Sequence, residues 1–103
     1  MRKLIITNNT GIATMMNVVI DGNVVGSIAG RFLITSFGKQ SVFSLDEKEH
    51  SVQCFYKYTD SDDVSMTNAI TIPCGKMDYS YYVIKKRPKD IFSVYTIELV
   101  ESK

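Results

Sequence analysis

Apolar and polar residues alternate with a period of two along most of the chain, in runs of strand length rather than at helical spacing. Met16, Val18 and Ile20 share one phase, with Met15, Asn17 and Val19 on the other. From His50 to Tyr58, Val52, Cys54, Tyr56 and Tyr58 fall on one side and Ser51, Gln53, Phe55 and Lys57 on the other. Such alternation marks half-buried strands, with one face on a core and one toward solvent. Similar runs cover Leu4–Asn8, Arg31–Phe37, Ser41–Leu45, Asn68–Pro73, Tyr79–Lys85 and Phe92–Val100. No segment keeps a helical period for three turns.

Turn signals separate these runs at regular intervals: Asp21-Gly22-Asn23, Phe37-Gly38-Lys39, Thr59-Asp60-Ser61-Asp62-Asp63 and Pro73-Cys74-Gly75-Lys76. Asp21-Gly22 lies between Ile20 and Val24-Val25, and a type I′ turn needs positive φ at both central residues, so a tight hairpin is expected there. Asp46-Glu47-Lys48-Glu49 reads as a solvated turn. Pro73 lacks an amide hydrogen and is expected to close its strand or sit at a sheet edge. The expected fold is all-β: an antiparallel β-sandwich, immunoglobulin-like, of about seven to nine strands. A partly open barrel is the alternative. At 103 residues the chain forms one domain, 1–103.

Charge and composition then remove several function classes. The formal charge is +1, without the basic excess that supplies most phosphate-directed affinity, so nucleic acid is not an expected partner. The apolar run after Met1-Arg2-Lys3 stops too soon for a signal peptide, and no stretch approaches the roughly 20 apolar residues that cross a bilayer. A cytoplasmic location is expected for the chain as given, and a surface or secreted one for a fragment of a longer protein. Cys54 and Cys74 each fall on the apolar phase of a run, which reads as two buried free thiols rather than a disulfide. With His50 the only histidine, no zinc site is expected, and no cofactor.

A sequence of features over residues 17–83 resembles a known type of module. Val19-Ile20-Asp21-Gly22 is followed by Val25-Gly26-Ser27-Ile28, His50-Ser51-Val52, Ile70-Thr71-Ile72, Gly75-Lys76 and Tyr79-Ser80-Tyr81-Tyr82-Val83. This order is similar to the PEGA-like and carboxypeptidase-regulatory-like immunoglobulin-type sandwiches of bacterial surface and accessory proteins. Glu49 stands where that family usually has a Gly before the His. The resemblance implies a non-catalytic sandwich and carries over no binding residues.

Candidate chemistry is sparse. His50 is the natural candidate for a general base or pH switch, but no nucleophile pattern accompanies it, and a histidine opening a strand after a charged turn more often holds that turn. Asp60, Asp62 and Asp63 suggest calcium, yet the EF-hand template fails, since Ser65 and Thr71 stand where Gly and Glu belong. Lys85, Lys86, Arg87 and Lys89 form the densest positive patch and read as a soluble connection. The tyrosines carry the remaining hint. Tyr79, Tyr81 and Tyr82 on one strand, with Tyr56 and Tyr58 on another, could form a contact surface of rigid rings with polar tips; the competing reading is cross-strand packing at the edge of the core. The expected function is a non-enzymatic interaction or accessory module that binds another protein, including its own copy, through a tyrosine-bearing sheet face or edge strand. The alternative is a carbohydrate-binding module using the same aromatics.

Overall fold

The computed structural model describes residues 1–10, 15–28, 39–57, 64–86 and 96–102. These form nine strands: β1 (Arg2–Asn9), β2 (Met16–Ile20), β3 (Asn23–Ile28), β4 (Lys39–Leu45), β5 (His50–Lys57), β6 (Val64–Met66), β7 (Ile70–Ile72), β8 (Tyr79–Lys86) and β9 (Thr96–Glu101). The described residues are all-β, in two sheets. One sheet has the order β4-β1-β8-β9; the other runs β3-β2-β5-β6, with β7 pairing β5 beside β6. The strand read over Arg31–Phe37, the Phe37-Gly38 turn and the Asp60–Asp63 tip lie outside the described residues.

The inward rows are those that the alternation marks. Leu4 and Ile6 of β1, Leu45 of β4, Val83 of β8 and Ile97 and Leu99 of β9 meet Met16, Val18 and Ile20 of β2, Ile28 of β3, Val52 and Cys54 of β5 and Ile72 of β7 in one core. Burying each large aliphatic side chain contributes about 1.5–3 kcal/mol. The row of β1 ends in polar residues on both sides, Arg2 and Asn8, each as buried as its apolar neighbours. Asn8 is satisfied locally: its Oδ1 accepts from the Thr10 hydroxyl at 2.7 Å and the Thr10 amide at 3.2 Å, an Asx-type turn that closes the strand.

The Asp21-Gly22 hairpin forms as expected, with φ of 53° at Asp21 and 82° at Gly22. Three expectations need correction. Pairing is antiparallel except between β1 and β8, which run parallel from Leu4↔Tyr79 to Asn9↔Ile84. The next strand after β1 belongs to the other sheet, so no hairpin dictates the direction of its neighbour, and β8 arrives after a crossing from β7. The run read over Asn68–Pro73 is shorter than expected, because β7 covers only Ile70–Ile72 and β6 precedes it. Thr67 separates the two: its hydroxyl accepts from the Cys54 amide at 2.9 Å and its amide donates to the Cys54 carbonyl at 2.8 Å. A side chain thus takes a rung of the ladder, and the backbone leaves strand geometry there. Cys74 consequently lies beyond the strand and is exposed; both cysteines are free, but only Cys54 is buried.

Candidate functional site

Polar groups converge where two of the connections that pass between the sheets meet the β2–β3 turn. β4 ends in one sheet and β5 begins in the other, joined by residues 46–49; β7 and β8 are joined the same way by residues 73–78. Arg2 ties the two connections together. Its Nε donates to the Asp46 carbonyl at 2.9 Å, one terminal nitrogen to Pro73 O at 2.7 Å and the other to Lys48 O at 2.6 Å. The Gly75 amide donates to Glu47 O at 2.9 Å across the same gap. The Asp46–Glu49 segment is exposed, as a solvated turn should be, yet its carbonyls are held from beneath by a buried guanidinium.

His50 opens β5 at the rim of this cluster, its side chain only 13 % exposed. Nδ1 lies 2.5 Å from Asp21 Oδ2, and Nε2 lies 2.6 Å from Asp46 Oδ1. Each carboxylate is itself anchored. Asp21 Oδ1 accepts from the Ser51 amide at 3.0 Å, and the Asp21 amide donates to Ser51 O at 2.9 Å. Asp46 Oδ1 also accepts from the Lys48 amide at 2.9 Å. The β2–β5 register, with Ile20 opposite Val52, brings the turn aspartate to the strand's first residues.

A neutral imidazole has one N–H and one lone pair, whereas an ionised carboxylate only accepts. Two carboxylates facing both ring nitrogens therefore fit the imidazolium. The hydrogen bonds to Asp21 and then Asp46 raise the His50 pKa above its ordinary value. Asp21 is lowered by the Ser51 amide and then by His50, and Asp46 by the Lys48 amide and then by His50. While protonated, the ring offers no lone pair to accept a proton from a substrate. Among the described residues, no group of three or more His, Cys, Asp or Glu side chains could hold a metal ion.

The tyrosines separate by face. Tyr56 and Tyr81 are buried in the core and Tyr79 packs partly against it, while Tyr82 is 38 % exposed. Burial, with Glu101 and Tyr79 nearby, raises the Tyr81 phenol. Tyr58 lies outside the described residues, as do Tyr95, Arg87 and Lys89; Lys85 is exposed. Tyr82 belongs to the outward face of the β4-β1-β8-β9 sheet. Strand registers place Val42 beside Ile5, Thr7 beside Tyr82, Tyr82 beside Val100 and Ile84 beside Glu98. Val42 is 54 % exposed, and Ile5, Ile84 and Val100 are half-buried. Apolar side chains and one phenol thus stand on the solvent face of this sheet, with Ser80 beside Ile5 and Thr7 beside Tyr82 between the Val42–Ile5 and Tyr82–Val100 pairs.

Sequence reasoning singled out His50 but not its two carboxylate partners or Arg2. The i, i+4 spacing of Asp46 and His50 was a usable local signal. The Asp21 contact depends on register between strands and has no local signature. Among the described residues, no helix is long and apolar enough to cross a membrane. No protein-family model matches this chain, and no curated protein matches it.

Proposed function

We propose that the chain is a non-catalytic, immunoglobulin-like β-sandwich of the PEGA-like and carboxypeptidase-regulatory-like kind that works as a protein-interaction module. Its contact surface is the outward face of the β4-β1-β8-β9 sheet, centred on Tyr82. The observation that carries this reading is that Val42, Ile5, Tyr82, Ile84 and Val100 stand, among Ser80 and Thr7, on a face where alternation would otherwise favour polar residues. Tyrosine among aliphatic side chains suits a protein interface, since it adds large rigid area and a hydrogen-bonding tip at low entropic cost. The partner is a protein with an apolar patch of its own, a second copy of this chain included.

A photo-crosslinking residue at position 82, compared with one at position 71 on the other sheet, tests this in the native host. Protein adducts at 82 that vanish with Val42→Lys support the reading. Equal adducts at both positions, or none at 82, overturn it. Binding on a glycan array with no protein adduct would instead favour the carbohydrate alternative.

A further inference from the structure

We propose that His50 is a proton-operated latch: as imidazolium it joins Asp21 to Asp46, and on losing its proton it keeps Asp21 and releases Asp46. The direction follows from how each carboxylate is held. Asp21 cannot retreat, because its amide and Oδ1 are both bonded to Ser51, the residue next to the ring. Its Oδ2 faces Nδ1 at 2.5 Å, so the neutral ring retains Nδ1–H. Nε2 then turns a lone pair toward Asp46 Oδ1 at 2.6 Å. Two acceptors at that separation repel. The two carboxylates are equally exposed, but Asp21 meets Ser51 and the ring through different oxygens, whereas Asp46 holds the ring and the Lys48 amide through Oδ1 alone, so Asp46 is the one that gives way.

Rotation carries Asp46 Oδ1 off the Lys48 amide, its other donor. Among the described residues, the charged groups bearing on this event are few. Asp21 faces the ring from the β2–β3 turn and Asp46 from the β4–β5 connection, while Glu49 precedes it in the chain. Lys48 acts on Asp46, and Arg2 holds the carbonyls of Asp46 and Lys48. From β7, the ladder partner of His50 is Ile72, which carries no charge. The backbone of the connection stays clasped by Arg2, so the change is confined to the Asp46 side chain and its turn. Proton loss loosens the turn at Asp46 while Arg2 keeps the crossing between the two sheets closed.

The test is nuclear magnetic resonance titration of the full chain and of Asp46→Asn. Nitrogen shifts of the imidazole report its pKa and neutral tautomer, and solvent exchange reports the Lys48 and Ser51 amides. The expected result is a His50 midpoint above the ordinary value of about 6.5, an Nδ1–H neutral ring, and loss of protection at Lys48 with none at Ser51. In Asp46→Asn the side-chain amide can donate to the Nε2 lone pair, so the midpoint moves down. A wild-type midpoint at or below the ordinary value, an Nε2–H neutral ring, equal responses of the two amides, or an unchanged midpoint in Asp46→Asn would each overturn the latch.

Discussion

The carboxamide of Asn68 pairs with Leu99 as a peptide group would. Its Oδ1 accepts from the Leu99 amide at 2.8 Å and its Nδ2 donates to the Leu99 carbonyl at 3.3 Å. Leu99 lies on β9, the outermost of the described strands of its sheet, and Asn68 lies between β6 and β7 of the other. One side chain therefore caps an open edge and links the two layers. Unpaired edge groups are templates for strand addition, so this cap also protects against aggregation.

Asn68→Ala leaves the Leu99 amide and carbonyl without these partners. The expected loss is about 1–3 kcal/mol in urea unfolding, with light scattering rising earlier on heating. Asn68→Asp keeps an acceptor for the amide but has no donor for the carbonyl, and it should fall between wild type and Asn68→Ala.

Arg2 gives a second prediction. Three carbonyls from two connections surround one fork of donors, a geometry that the compact ammonium of lysine cannot serve at once. Arg2→Lys should therefore destabilise nearly as much as Arg2→Met, by roughly 3 kcal/mol or more, because carbonyls are left without donors in both. Lys3→Ala, one residue along on the exposed face, should stay within about 0.5 kcal/mol of wild type. Equilibrium unfolding of the three variants decides it.

How far the residues announced this structure depends on whether the physics was local. Met16, Val18 and Ile20 are readable as a core row because period-two alternation ends in an Asp-Gly turn of fixed geometry. Val52 and Cys54 are readable for the same reason. Arg2 is not, since its type argues for the surface while its position in the phase of Leu4 and Ile6 argues for the interior; position won because three carbonyls were waiting. Cys74 was misplaced by carrying the alternation of Ile70 and Ile72 past Pro73, where the strand had already ended. The parallel partnership of β1 and β8 and the meeting of Asp21 with His50 arise from sheet assembly over long separations. The Asp21–His50–Asp46 cluster was thus half legible: its histidine stood out, and its clamp did not.

Gly26 supplies a packing test. A Cβ placed there would lie 2.9 Å from Phe43 Cε1 and 3.6 Å from its Cζ, because β3 and β4, edge strands of the two sheets, meet at this point. Ser41 marks the same junction, its hydroxyl donating to Ser27 O at 2.9 Å. Gly26→Ala must push the phenyl ring aside, at a cost of about 1–3 kcal/mol. Adding Phe43→Leu should recover part of that loss, and the double-mutant cycle should show coupling of the size seen between touching residues, about 0.5 kcal/mol or more.

The two thiols should behave as different chemical species. Burial pushes the Cys54 thiol up to about 12, and the side chain is fully enclosed, so neither the thiolate nor access is available. Cys74 is exposed. A chromogenic disulfide reagent should titrate one thiol in the native protein and two in denaturant, with Cys74→Ser abolishing the native reaction. Two fast thiols in the native state would place Cys54 in a region that opens readily.

Asp21, Asp46 and His50 together make stability depend on pH at both ends of the range. Asp21 and Asp46 are lowered on folding, so their contribution is present above the unfolded value of about 3.9 and is lost as pH falls through the lowered values. His50 is raised on folding, so its contribution is complete below the unfolded value of about 6.5 and is lost as pH rises through the raised one. These groups together favour a stability plateau between about 4 and 6.5, with a decline on each side. His50→Asn should flatten the alkaline decline by removing the group that titrates there. It should also weaken the acid decline, because both carboxylates lose their imidazolium partner while keeping the Ser51 and Lys48 amides that hold them low. Denaturation midpoints measured from pH 3 to 9 on wild type and His50→Asn would separate the two limbs; an alkaline decline of the same size in both proteins would assign that limb to another group.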